Sequence, residues 1–109
     1  MAGDKMIPIE DTNFSKEVEQ SATPVLVDFG ATWCEPCKSL GTTIDGMADS
    51  YTGQVKFCYA DIQKAPMTAQ KFGVLAVPTL VLFANGAPKG SLHGAQPKAK
   101  IEELLRTVL

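Results

Sequence analysis

Apolar and polar residues divide the chain into short segments with strand and helix patterns. Residues 6–10 are an apolar run that predicts a first strand, and residues 12–21 predict a short helix that Thr12 or Asn13 is placed to cap. The run 24–31 (PVLVDFGA) is apolar and β-branched with almost no polar alternation, which favours a central strand covered on both faces. The chain therefore opens as strand, helix and buried strand.

A long helix and a third strand follow. The helix is expected from near Cys34 to about Tyr51, because Pro36 falls in its first turn, where proline is tolerated. Residues 54–62 (QVKFCYADI) then read as a strand.

The last third predicts a helix, a hairpin and a closing helix. Residues 66–73 form a brief helix whose final glycine suits a left-handed cap. Residues 79–94 form a hairpin that turns at Asn85 and Gly86, a strong hairpin signal. Residues 97–109 form an amphipathic helix. Its apolar stripe consists of Ile101, Leu104, Leu105 and Val108.

The predicted order βαβαβαββα indicates an α/β sandwich with a mixed sheet. A chain of 109 residues is long enough to bury one core. No repeat, linker or low-complexity segment divides it, so we expect a single domain over residues 1–109.

Charge and composition argue against several classes of partner. The net charge of −2 has no block of like charges behind it, so no nucleic-acid partner is expected. The first twenty residues contain no apolar export segment, and no apolar run approaches the roughly 18 to 20 residues that span a bilayer. We therefore expect a soluble cytoplasmic protein that does not bind a membrane. Its three cysteines cannot all pair internally, and a reducing compartment would leave a structural bridge without purpose, which favours a catalytic or metal role.

Cys34 and Cys37 lie three residues apart at a predicted helix start. This spacing places their Cα atoms roughly 5 to 5.5 Å apart, within the range of a disulfide that closes and reopens with little backbone movement. Free N–H groups and the helix dipole favour a thiolate at Cys34 and lower its pKa from about 8.5 towards 7. Cys34 is therefore the expected nucleophile. Cys37, one turn inside the helix, is the expected resolving residue.

The same pair is also compatible with a zinc site. Cys58 and His93, the only histidine, complete a Cys₃His set in that alternative. A second CxxC motif is missing and Cys58 lies in the middle of a strand, so Cys58 is interpreted as a small core residue. His93 either lines a substrate groove and gives binding a pH dependence, or is a hairpin-end residue without a role.

Asp28 is an acidic residue inside the most apolar strand. Burial raises the pKa of a carboxyl by disfavouring its anion. We interpret Asp28 as a general acid/base that takes the proton of Cys37, directly or through a water. In the alternative interpretation its carboxyl reaches solvent at the strand end or caps the following turn.

Four motifs together resemble the thioredoxin family along essentially the whole chain. They are VDFGATWCEPCK (27–38), YADIQ (59–63), FGVLAVPTLVLFANG (72–86) and HGA (93–95). The resemblance implies the thioredoxin fold, a three-layer α/β/α sandwich with a central mixed sheet. It also implies that Cys34 attacks, Cys37 resolves and Asp28 is the buried acid.

The resemblance further implies a groove for the substrate chain. Pro78 matches the family's cis-proline, whose loop lies against the disulfide and offers backbone pairing to an extended substrate. Gly94 completes the apolar groove. The substrate-binding residues implied in this way are Trp33, Pro36, Val77, Pro78 and Gly94. We add Glu35 and His93, which adjoin Cys34 and Gly94 in the sequence.

Four residues depart from the family pattern. Glu35 replaces a glycine between the cysteines, which opposes the Cys34 thiolate and is expected to make the protein slightly more reducing. Gly30 replaces a tryptophan, which predicts a looser loop or compensating packing. Thr42 replaces a proline, which predicts a straighter helix. Phe57 is assigned to the position of a lysine beside the acid, so Asp28 is expected to be harder to ionise.

The sequence thus predicts a protein-disulfide reductase that passes two electrons through Cys34 and Cys37 by a mixed disulfide. No cofactor is expected, because no GxGxxG loop is present. A separate flavin-dependent thioredoxin reductase is expected to return the electrons, and nothing demands more than a monomer. The alternatives are a thiol oxidant or isomerase of the same fold, and a binding subunit that uses the groove as an adaptor.

Overall fold

The structure, a computed structural model, describes residues 5–109. Within these residues, five strands form one sheet in the order β1-β3-β2-β4-β5. They are β1 (Ile7–Ile9), β2 (Val25–Gly30), β3 (Lys56–Asp61), β4 (Thr79–Ala84) and β5 (Ala87–His93). The strands β1, β3 and β2 run parallel, whereas β4 is antiparallel to β2 and β5 is antiparallel to β4. The sheet is therefore mixed, and β2 lies at its centre, as the apolar run predicted.

In the described part of the chain, three α-helices accompany the sheet: α1 (Glu35–Met47), α2 (Pro66–Lys71) and α3 (Lys98–Arg106). A 3₁₀ turn over Ala48–Tyr51 continues α1, so the helical conformation extends to Tyr51, as expected, with a tighter last turn. None of the helices within residues 5–109 combines the length and the apolarity needed to cross a membrane.

The helices cover both faces of the sheet. One face packs against α1 and α3, and its core includes Leu26, Leu80, Ile44 and Ile101. The other face packs against α2 and a single π-helical turn over Ser15–Glu19, and its core includes Val27, Phe83, Val18 and Ala69. These layers confirm the predicted three-layer α/β/α sandwich. Ile101 and Leu105 of the predicted apolar stripe are buried, and Leu104 and Val108 are half-buried against the same core.

The predicted capping of the first helix is wrong. Phe14 occupies the N-cap position of the π-helical turn, and neither Thr12 nor Asn13 provides a side-chain cap there. The Asn13 side chain instead closes the preceding turn, because its Oδ1 accepts from the Glu10 N–H at 2.7 Å and its Nδ2 donates to the Pro8 carbonyl at 3.0 Å. Short polar side chains form such turns as readily as caps.

The hairpin turns where the sequence predicted. Asn85 and Gly86 have φ values of 54° and 78°, the left-handed conformation that two-residue hairpin turns require. Gly86 also lies close to the π-helical turn, since a Cβ built on it stands 2.9 Å from the carbonyl oxygen of Glu19. Its lack of a side chain therefore serves both the turn and the packing.

Candidate active site

Cys34 and Cys37 form a disulfide at the start of α1, with their Cα atoms 5.2 Å apart. Cys34 is the N-cap residue of the helix, and its Sγ accepts a hydrogen bond from the Cys37 N–H at 3.2 Å. Pro36 lies in the first turn, as predicted. The separation and the position at the helix start both confirm what the spacing predicted.

The chain reaches this position directly from the central strand. After β2 ends at Gly30, the N–H of Cys34 bonds to the carbonyl of Ala31 at 3.3 Å and forms a tight turn into α1. The N–H of Ile62 bonds to the Gly30 carbonyl at 3.0 Å and holds the end of β2 to the segment that follows β3. The disulfide therefore lies at the carboxyl ends of two parallel strands, where α/β sheets commonly bind ligands.

A second loop lies against the disulfide. The Val77-Pro78 peptide bond is cis, as the resemblance implied, and Val77 packs against the cluster that contains both cysteines. The Pro78 carbonyl accepts from the Gly94 N–H at 2.9 Å, and the Thr79 hydroxyl donates to the Ala76 carbonyl at 2.7 Å. The fold thus brings Val77, Pro78 and Gly94 together beside the cysteines.

The other residues predicted to contact the substrate are exposed. Trp33 is 65% exposed, unusual for so large an apolar side chain, and Pro36 is also exposed. The Glu35 carboxylate points to solvent and pairs with Lys38 at 2.9 Å, so a cation partly offsets its charge. His93 is exposed, with its Nδ1 3.5 Å from the Thr79 hydroxyl. Substrate contacts by these residues stay predictions.

Asp28 is buried next to the site without a partner for one of its oxygens. Its side chain is 2% exposed, and no residue in the described range 5–109 hydrogen-bonds to its Oδ1. Burial raises the pKa of Asp28 to about 7. The expected direction of the shift is confirmed, and the alternative in which the carboxyl reaches solvent is wrong.

The predicted neighbour of Asp28 on β3 needs correction. The register places Phe57 opposite Leu26, whereas Tyr59 stands opposite Asp28. Phe57 is buried in the core between the sheet and α1, where its ring contacts that of Tyr51. The residue that takes the place beside the acid is therefore a tyrosine, which the sequence analysis missed.

Tyr59 also explains how the fold accommodates Gly30. A Cβ built on Gly30 would stand 3.3 Å from the Tyr59 hydroxyl oxygen and 3.4 Å from the Cys37 Sγ. The side chains of Tyr59 and Cys37 fill the space beside Gly30. Of the two expectations for this glycine, the structure therefore shows compensating packing. The loop dynamics and the straightness of α1 at Thr42 stay predictions.

Cys58 lies on the opposite face of the sheet from the disulfide. It pairs with Ile7 and Val27 in the ladder and is fully buried in the core against α2. Burial raises the pKa of its thiol to about 12. Within residues 5–109, no three His, Cys, Asp or Glu side chains form a group that could hold a metal ion, so the zinc set with Cys58 and His93 is not assembled.

Comparisons with known proteins agree with this geometry. The family model described as Thioredoxin matches residues 5–107. A thioredoxin of Staphylococcus haemolyticus is 36% identical over 92% of this chain and 94% of its own length, and one of Alicyclobacillus acidocaldarius is 37% identical over 93% and 95%. The M-type chloroplastic thioredoxin of Pisum sativum is 41% identical over 87% of this chain, which matches 55% of the pea protein's length.

Proposed function

Because this chain belongs to the thioredoxin family, whose members are oxidoreductases that act on protein disulfides, we propose that it reduces such disulfides through Cys34 and Cys37. The observation that carries the proposal is the disulfide at the N-terminus of α1, with 5.2 Å between its Cα atoms. A pair in this position interconverts between dithiol and disulfide within one helical turn.

The reaction begins at Cys34. Its position at the helix N-cap favours the thiolate, because the Cys37 N–H donates to its sulfur and the positive end of the helix dipole lies beside it. The thiolate attacks a substrate disulfide, a bond forms between Cys34 and one substrate sulfur, and the other substrate sulfur leaves as a thiolate. Cys37 then attacks the Sγ of Cys34, which forms the intramolecular disulfide and releases the second substrate thiolate. Two electrons pass from the protein to the substrate.

Asp28 serves as the base of the second step in this proposal. Cys37 is 2% exposed and needs to lose its proton before it attacks. A carboxyl whose pKa lies near 7 accepts and returns a proton at neutral pH. Asp28 lies on the same face of β2 as Gly30, against which Cys37 packs.

The surface around the disulfide is the proposed substrate site. The exposed ring of Trp33, the exposed Pro36 and the half-buried Val77 offer apolar contact beside the cysteines. The backbone around Pro78 and Gly94 offers strand-like pairing to an extended chain. Glu35 and His93 are exposed, and the proposal assigns them to the rim of this surface.

We infer that the chain works as a monomer, as one domain over residues 1–109, in the reducing cytoplasm. A separate flavin-dependent thioredoxin reductase returns its electrons.

A trapping experiment tests the proposal. In the Cys37→Ser variant, Cys34 is expected to attack a protein disulfide and remain bonded to it, because no thiol is present to resolve the mixed disulfide. The Cys34→Ser variant is expected to form no adduct. Non-reducing gel electrophoresis with a disulfide-containing substrate protein separates the two outcomes.

The alternatives predict different results in the same experiment. A binding adaptor would retain the substrate without a covalent bond in a Cys34→Ser, Cys37→Ser double variant and would keep its cellular function. Equal trapping by both single variants would show that the order of attack assigned here is wrong.

A further inference from the structure

Gly30 lies beside both the Tyr59 hydroxyl and the Cys37 sulfur. Tyr59 is 6% exposed and stands opposite Asp28 in the ladder between β2 and β3. Its hydroxyl oxygen lies 3.3 Å, and the Sγ of Cys37 lies 3.4 Å, from the single point where a Cβ on Gly30 would stand. Both atoms therefore border the position that a Gly30 side chain would occupy, two residues along β2 from the buried acid.

The chemistry of the two groups is complementary. Burial first, and then the charges of Asp61 and Asp28, raise the pKa of Tyr59 above its ordinary value. The hydroxyl therefore keeps its proton at the pH values where thiol–disulfide exchange takes place, and it stays a hydrogen-bond donor. Cys37 is buried one turn inside α1, where burial disfavours its thiolate. A donor beside the sulfur offsets that cost.

We propose that the Tyr59 hydroxyl donates a hydrogen bond to the Cys37 sulfur as that sulfur becomes a thiolate in the resolving step. Gly30 makes this approach possible because it has no side chain. The inference deepens the function proposed above and rests on it.

In the resolving step, Asp28, Tyr59 and Cys37 each have one role. Asp28 takes the proton of the Cys37 thiol, while Tyr59 keeps its own proton and stabilises the charge left on sulfur. The Cys37 thiolate gives its electron pair to the Sγ of Cys34. The bond between Cys34 and the substrate sulfur breaks, and the substrate leaves as a thiolate.

A two-step colour reaction tests the proposal. The reduced protein is mixed with one equivalent of dithiobis(nitrobenzoate), an aromatic disulfide that releases a coloured thiolate at each attack. The first release reports the attack by Cys34, and the second reports the resolution by Cys37. Tyr59→Phe keeps the ring and removes the donor. We expect its second release to slow roughly 10- to 100-fold, the range for a hydrogen bond to a charged group, with the first release unchanged.

Tyr51→Phe is the matched control. It makes the same chemical change in a tyrosine packed against the same core at Phe57, away from the disulfide, and it is expected to change neither release. Gly30→Ala places a methyl group within 3.4 Å of both the hydroxyl and the sulfur and is expected to slow the second release as well. A thermal melt of each variant confirms that it is folded.

The outcomes separate this inference from the proposed function. A Tyr59→Phe protein whose second release matches the wild type overturns the role of Tyr59, and so does a variant in which both releases slow equally. A wild-type protein that gives no second release overturns the proposed function itself.

Discussion

Asp28 makes the stability of the protein depend on pH in an unusual direction. Most native carboxyls have lowered pKa values and stabilise the fold above pH 4, but burial raises the pKa of Asp28 from 3.8 to about 7. Below pH 4 this carboxyl is protonated in both the folded and the unfolded chain. As the pH rises from 4 to 7, only the unfolded chain ionises freely, so the free energy of unfolding falls. Above pH 7 the loss is complete.

Replacement of Asp28 by Asn is expected to remove this loss. Three pKa units correspond to about 4 kcal/mol, so the stability of Asp28→Asn relative to wild type is expected to increase between pH 4 and pH 7 by up to that amount and then stay level. Urea unfolding of the oxidised proteins at several pH values measures it. Asp61→Asn is the control, since it retains Asp28 and keeps the wild-type trend. A constant difference between Asp28→Asn and wild type across that range would contradict the raised pKa.

At the scale of the elements, the hairpin turn contacts a neighbouring segment. Gly86 combines a φ of 78° with a backbone carbonyl of the π-helical turn at 2.9 Å from a potential Cβ. Gly53 has a similar φ of 82°, but a Cβ there meets nothing within 4 Å. The two glycines therefore separate the cost of the backbone conformation from the cost of the contact.

The Gly86→Ala variant is expected to lose more stability than Gly53→Ala. A left-handed conformation costs an L-residue about 1 to 2 kcal/mol, which both variants lose. Gly86→Ala additionally has to displace the carbonyl of Glu19, which is backbone and moves only with its helical turn. Chemical denaturation of both variants measures the difference. Equal losses would show that the turn does not press on the π-helical turn.

Elements defined by local patterns were predictable, and contacts between elements were not. The Asn85-Gly86 turn and the apolar stripe of α3 follow from neighbouring residues, and the structure confirms them. Phe57 was assigned beside Asp28 from the family pattern. The register of β2 against β3, which the local sequence does not determine, places Tyr59 there instead.

The cap of α2 was missed for the same reason. Ala65 occupies its N-cap position and cannot cap with its side chain. Asp11, which follows β1, accepts hydrogen bonds from the N–H groups of Met67 and Thr68 and from the Thr68 hydroxyl. Burial alone would raise the pKa of Asp11, but the bonds from Thr68 and Met67 outweigh it and lower the pKa. The sequence indicated only that Ala65, at the N-cap position, has no polar side chain, so that the capping group had to come from elsewhere in the chain.

For the whole molecule, the reduction potential decides the direction of electron flow. We expect a value of about −270 mV or below, typical of a reductant, whereas an isomerase or oxidant would lie at about −180 to −120 mV. Equilibration with a thiol buffer, followed by Trp33 fluorescence or alkylation, measures it.

Glu35→Gln refines the same measurement. Removal of the carboxylate beside Cys34 stabilises the thiolate and leaves Lys38 unpaired, so the potential is expected to rise by about 20 mV or less. Glu102→Gln, which neutralises a carboxylate on α3 outside the site, is expected to leave it unchanged. A potential that falls or stays the same in Glu35→Gln would contradict the role assigned to Glu35.

The burial of Cys58 affects how the molecule survives repeated use. An electron carrier with a third accessible thiol would be prone to errors at each turnover, either by pairing with the wrong partner in its own chain or by linking two copies. Cys58 is held beneath α2, fully buried and with its thiol protonated. Burial therefore keeps the Cys58 thiol away from oxidants and from other thiols in solution.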